Sequence, residues 1–229
     1  MNPEISVLVV VVFIFTVLIT LGFFYRATNN SRTVLMLAAA WIVLQSSITL
    51  SLFYTKTNAF PPRFFFLVVP LALTIILLFV TKKGRAWVDT MELKWLTALH
   101  VVRIPVELCL YWLFIDGMVP ELMTFAGKNF DILSGITAPI VLFMVYYKKI
   151  MGKTGLLLWN FICLILVLFI VVNAVLSAPF PIQQFAFNQP NLAVFYFPMS
   201  MLPGFVVPVV IISHLASIRL LIKKGLQRD

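Results

Sequence analysis

From Leu93 to Phe114 the chain reads LKWLTALHVVRIPVELCLYWLF, an apolar run long enough to cross a bilayer that nevertheless carries His100, Arg103 and Glu107. At 100° per residue those three fall within about 60° of one another, and Tyr111 prolongs the stripe. A charge held at mid-membrane costs roughly 2.5–3.5 kcal/mol on insertion scales. Such a helix has to turn that edge toward other helices, so the stripe constrains everything built around it.

The composition points the same way. Hydrophobic residues make up 62% of the chain and charged ones 11%, against about a quarter charged in water-soluble domains. Several runs exceed about 18 apolar residues, the usual threshold for a membrane span. The expectation is an all-α integral membrane protein, a single domain over residues 1–229 built as a bundle of seven transmembrane helices. The spans fall at about 4–25, 33–54, 64–81, 93–114, 131–147, 156–176 and 192–221. The first has no Lys or Arg before it and no small-x-small cleavage site after it, so it reads as a retained helix and not as a signal peptide.

Charge sets the orientation. With seven spans, most of the 17 Lys and Arg gather on one side: Arg26 and Arg32; Lys82, Lys83, Arg85 and Lys94; Lys148, Lys149 and Lys153; and Arg219, Lys223, Lys224 and Arg228. By the positive-inside rule the N-terminus lies outside and the C-terminus in the cytoplasm. Six or eight spans would scramble the asymmetry. The bilayer is the expected partner and a bacterial inner membrane the expected location. The net charge of +9 does not indicate nucleic acid, because no basic segment outside the spans exists to bind it. Cys109 and Cys163 sit within spans, match no CxxC or metal spacing, and read as packing. Oligomeric state stays open.

Other polar and helix-breaking residues have local readings. Gln45, Ser46, Ser47 and Thr49 suit hydrogen bonds between helices. Pro70 frees a carbonyl for a neighbour to satisfy. Residues 116–130 read as a loop or half-buried segment, and the proline-rich first third of 192–221 as irregular. FPPRFFFLVVP closing in Lys82-Lys83-Gly84 resembles FPMSMLPGFVVP closing in Lys223-Lys224-Gly225. That is either the trace of a parallel repeat or a coincidence of Phe, Val and Pro content.

Three uses of the polar stripe compete. Arg103 could pair with Glu107 four residues on, the histidines bonding to serines or carbonyls as a packing device. Alternatively, the spans bind and move or sense a small molecule. Arg103 would then hold a carboxylate or phosphate, Glu107 would exchange a proton, and His100, Tyr111, His214 and Ser217 would complete the site. In the third, an intramembrane enzyme holds a metal or haem on His100, His214 and Glu107, although neither HExxH nor HxxxH occurs. The second reading is favoured. Cofactor and enzymatic activity are left open. A retinal protein is set aside, since no lysine lies in the middle of the last span.

Overall fold

The computed structural model describes residues 5–57, 59 and 62–226. The start of the first expected span at Glu4, the turn residue Pro61 and the basic Arg228 lie outside them. The described residues form α1 (Val7–Ala27), α2 (Arg32–Leu50), α3 (Phe65–Val80), α4 (Lys82–Val88), α5 (Leu93–Leu99), α6 (Arg103–Ile115), α7 (Ile132–Leu142), α8 (Lys153–Ser177) and α9 (Val207–Lys224), with short 3₁₀ and π turns between or beside them.

Helix ends follow local chemistry. Ser6 and Ser31 cap α1 and α2 by accepting from the amides of Val9 and Val34, as short hydroxyl side chains do at first turns. α3 stops at Thr81, whose extended backbone starts α4 after an 89° bend and whose hydroxyl accepts from Gly84 N. A Cβ on Gly84 would lie 2.6 Å from the backbone of Leu77 and Leu78, so only glycine permits so tight a fold-back. α9 ends at Gly225, which takes φ +82°, a positive-φ conformation that glycine adopts without strain.

Two prolines explain how α2 attaches. Pro208 has no N–H to give the carbonyl of Gly204, four residues back. Trp41 Nε1 on α2 donates to that carbonyl at 2.8 Å. In the same way Pro70 frees the carbonyl of Phe66, which lies 3.5 Å from Gln45 Nε2. Gln45 also accepts from the Tyr54 hydroxyl. The Thr49 hydroxyl donates to Gln45 O, so Ser200 is the donor in the 2.9 Å bond between Ser200 and Thr49. Among the described residues of α2, only Gln45 and Thr49 are buried, while Val34, Ala38, Ile42 and Ile48 pack half-buried against the core.

α9 lies at the centre, packed against α8 and α5 and touching α3; Val209, Val210, Ser213, His214, Ser217, Leu220 and Leu221 are all buried. α1 lies against α5 and α6 through Val9, Phe13, Val17, Phe24 and Ala27, a stripe at helical spacing. At the basic end of α9, Asp89 accepts two bonds from Arg219 and one from Lys223, while Lys224 donates to its carbonyl.

The seven-span bundle is not what forms. Among the described residues, five helices are long and apolar enough to cross a membrane: Val7–Ala27, Arg32–Leu50, Leu93–Ile115, Lys153–Ser177 and Leu202–Lys224. A sixth arises only if the sharply bent pair Phe65–Val80 and Lys82–Val88 is counted as one. Ile132–Tyr147, an α-helix that shifts to a π turn at Phe143, falls short of that length. The orientation required an odd count of seven. The outside N-terminus and the cytoplasmic C-terminus, read from that wiring, fall with it, and so do the bilayer as partner and the inner-membrane location, read from the apolar runs and the short loops. What forms is an all-α fold around a buried polar network. The two KKG endings also differ: Lys82 and Lys83 begin a helix, whereas Lys223 and Lys224 finish one.

Candidate functional site

The polar stripe is buried at a change of helix type. Pro105, third residue of α6, cannot donate to Val101, and the helix tightens to a 3₁₀ turn over His100–Val102 just before it. His100, Arg103 and Glu107 are each at most 3% exposed. A charged group in such a place needs partners, and for Arg103 they come from other elements. Its Nη1 donates to Asp131 Oδ1 at 2.6 Å and its Nη2 lies 2.9 Å from His214 Nε2. Glu107, four residues on, is not its hydrogen-bond partner. Asn129 Nδ2 instead lies 2.7 and 2.8 Å from the two Glu107 oxygens.

The bonding fixes the protonation of His214. A guanidinium only donates, so Nε2 accepts and the ring hydrogen is on Nδ1. That N–H donates to Asn160 Oδ1 at 2.9 Å, and Asn160 Nδ2 donates to Leu156 O. A neutral imidazole thus links α8 to Arg103, and Asp131 Oδ1 joins Ser134 of α7 at 3.4 Å. α7 comes close enough because residue 135 is glycine: a Cβ there would stand 3.0 Å from Ile104 N and 3.1 Å from Arg103 Cβ.

His100 stacks on His214, with ring centroids 3.8 Å apart and planes 12° from parallel. Trp159 packs edge-on to His100 and donates its own N–H to Thr137. Among the described residues both nitrogens of His100 find no hydrogen-bond partner, and neither do Arg103 Nε, Ser213 Oγ and Ser217 Oγ. Tyr111 stacks on Phe125 with centroids 4.9 Å apart. His100, Arg103, Glu107 and His214 therefore belong to one neighbourhood; Tyr111 packs elsewhere, and Ser217 makes no bond to the others.

The metal, haem and translocation readings fail on this geometry. Among the described residues no group of three or more His, Cys, Asp or Glu is placed to hold a metal ion. Two rings stacked face to face have no gap for a haem between them, and both nitrogens of His214 are already engaged. Arg103 gives Nη1 to Asp131 and Nη2 to His214 and does not line the neighbouring cavity, so the guanidinium is not presented there to a carboxylate or phosphate to be moved or sensed.

Beside the network lies a cavity of about 280 Å³. Its walls are aliphatic, with Val68, Ala72 and Ile75 of α3 facing Val167, Val171 and Ala174 of α8. The polar residues on its wall are Glu107, Asn129, Asp131 and Asn191; Arg103, His100, His214, Tyr111 and Ser217 do not reach it. Asn129 and Asn191, and Asp131 as Arg103's partner, were not singled out from sequence. The available signal was the run of Asn129 and Asp131 just before an apolar helix, where both residues are 6% exposed or less. The loop bearing Asn129 is folded tightly over Gly127, whose Cβ would stand 2.2 Å from Glu121 O.

No curated protein and no solved structure matches the chain. A family model matches residues 61–222, which takes in α3 to α8, most of α9 and every wall of the cavity. The chain belongs to that family, described as Domain of unknown function (DUF8737).

Proposed function

We propose that this chain binds a small, mainly apolar molecule in the cavity between α3, α6, α8 and α9. The observation that carries this is the cavity itself: about 280 Å³ with aliphatic walls and a few polar side chains. Ligand sites have that character, at about 300–1,000 Å³ and with a small number of placed polar groups. The lining on α8 runs from Val167 to Val175, about 12 Å at 1.5 Å per residue, which suits an extended hydrocarbon. α3 and α8 make little direct contact, so the cavity walls can part without breaking a packed seam. Of the residues proposed from sequence, Glu107 meets the ligand. Arg103 and His214 stand behind the wall and hold Asp131 in place.

The test uses diphenylhexatriene, a neutral hydrocarbon whose fluorescence rises in apolar surroundings. The full chain takes up one equivalent, and Ala174→Phe, which fills the cavity from α8, lowers the affinity at least tenfold. Uptake that Ala174→Phe leaves unchanged overturns the reading.

A further inference from the structure

The hydrogen-bonding inventory of the cavity wall is one-sided. Asn129 directs its amide hydrogens at Glu107 and at Met123 O, and its own Oδ1 accepts from Asp131 N. Asn191 donates to Ala174 O, while its Oδ1 is buried and has no partner among the described residues. Asp131 Oδ1 takes Arg103 and Ser134. Glu107 receives one amide group across both oxygens, whereas a carboxylate offers about four lone-pair sites. Apart from the second amide hydrogen of Asn191, the donors on this wall are therefore already used, and acceptors are left over.

Charge is one-sided too. Arg103 is matched by Asp131 at 2.6 Å. Among the described residues no cation lies within ion-pair distance of Glu107, and the bonded arrangement makes His214 neutral. A buried carboxylate without a counter-ion is costly. Burial, with the Asp131 charge nearby, raises the Glu107 carboxyl to about 8, so a cation set against it is what keeps it ionised. An acceptor such as Asn191 Oδ1, 1% exposed for the residue as a whole, is costly when unpaired. Both open onto the same cavity.

We propose that the ligand is an amphiphile with a hydrogen-bond-donating, cationic head, of the primary alkylamine class, its ammonium against Glu107 with Asn191 Oδ1 as a second acceptor and its chain along α8. This rests on the cavity being a binding site, and it names the opposite charge from the carboxylate or phosphate read from Arg103 in the sequence. A charge-assisted N–H···O bond is roughly twice as strong as a neutral one, so the head group, more than the chain, sets selectivity.

A matched series separates the two levels. Dodecylamine, dodecanol and dodecanoic acid, each below its critical micelle concentration, compete with bound diphenylhexatriene on the full chain. The expected order is amine, alcohol, acid, with at least tenfold between the first and last. Asn191→Asp, which adds an anion at the second acceptor, widens the gap, and Glu107→Gln narrows it. Equal displacement by the three, or tightest binding of the acid, overturns the amine inference while the cavity reading stands. A probe insensitive to Ala174→Phe overturns the cavity reading itself. If Glu107→Gln fails to fold, Asn191→Asp still decides: an unchanged or reduced amine preference sinks the inference.

Discussion

Arg103 Nη1 stands 2.6 Å from Asp131 Oδ1, with the two side chains 3% and 8% exposed. The pair joins the start of α6 to the start of α7 and anchors one wall of the cavity. Taking two charges out of water is costly, and the return depends on geometry, so such a pair is often no more stabilising than an apolar one of similar volume. Removing one partner is another matter, since the survivor is left charged and buried. Asp131→Leu is expected to lower stability by about 3–5 kcal/mol. Adding Arg103→Met recovers most of that loss. Denaturant unfolding of the single and double variants checks the sign, and a double variant no better than Asp131→Leu contradicts it.

The two stacked histidines carry different burdens. His214 bonds through both nitrogens, to Arg103 and Asn160, whereas His100 bonds through neither. His100→Phe keeps the stacked ring and removes two unpartnered nitrogens, so it shifts stability by no more than about 1 kcal/mol, in the stabilising direction. His214→Phe leaves Arg103 and Asn160 without their partner and costs about 2–4 kcal/mol. Unfolding midpoints of the two variants give the comparison directly.

The carbonyl freed by Pro208 makes a rescue experiment. Trp41→Phe keeps the ring and removes the N–H that satisfies Gly204 O, for a loss of about 1–3 kcal/mol. Pro208→Ala restores a backbone donor in the following turn. In that background Trp41→Phe should cost less, and a double-mutant cycle with coupling near zero would show that the bond is not shared in this way.

Asp89 predicts the acid limb of stability. Hydrogen bonding from Arg219, against an opposing contribution from burial and with further help from Lys223, lowers its carboxyl from the ordinary 3.8 to about 2. A lowered carboxyl stabilises the fold fully above its unfolded value, and that stability is lost as pH falls through the folded one. The window is therefore from about pH 4 down to about pH 2. Lys223 is 57% exposed, so solvent screening reduces the effect to on the order of 1–2 kcal/mol. Asp89→Asn removes it at neutral pH and flattens the unfolding midpoint across that window.

Periodicity made the long helices legible, because a run of Val, Leu, Ile and Phe in α1, α2, α8 or α9 has few alternatives to a helix. The stripe of His100, Arg103 and Glu107 was equally visible, as helical spacing alone puts the three on one edge. The crossing count was not: the 89° turn at Thr81 depends on Gly84 packing against the backbone of Leu77 and Leu78, and the short α7 shows only in the folded chain. The partners of the stripe were also hidden. Sequence spacing offers Arg103 only its neighbour Glu107, while Asp131 and His214 lie 28 and 111 residues away.

Local composition by itself determined that this chain is helical, strongly apolar, and obliged to bury one ionised edge. Tertiary structure alone decided which carboxylate meets the guanidinium and which is left facing a cavity. That choice depends on distances across helices that pack together only in the folded chain, at a range where a shift of one ångström makes or breaks a hydrogen bond.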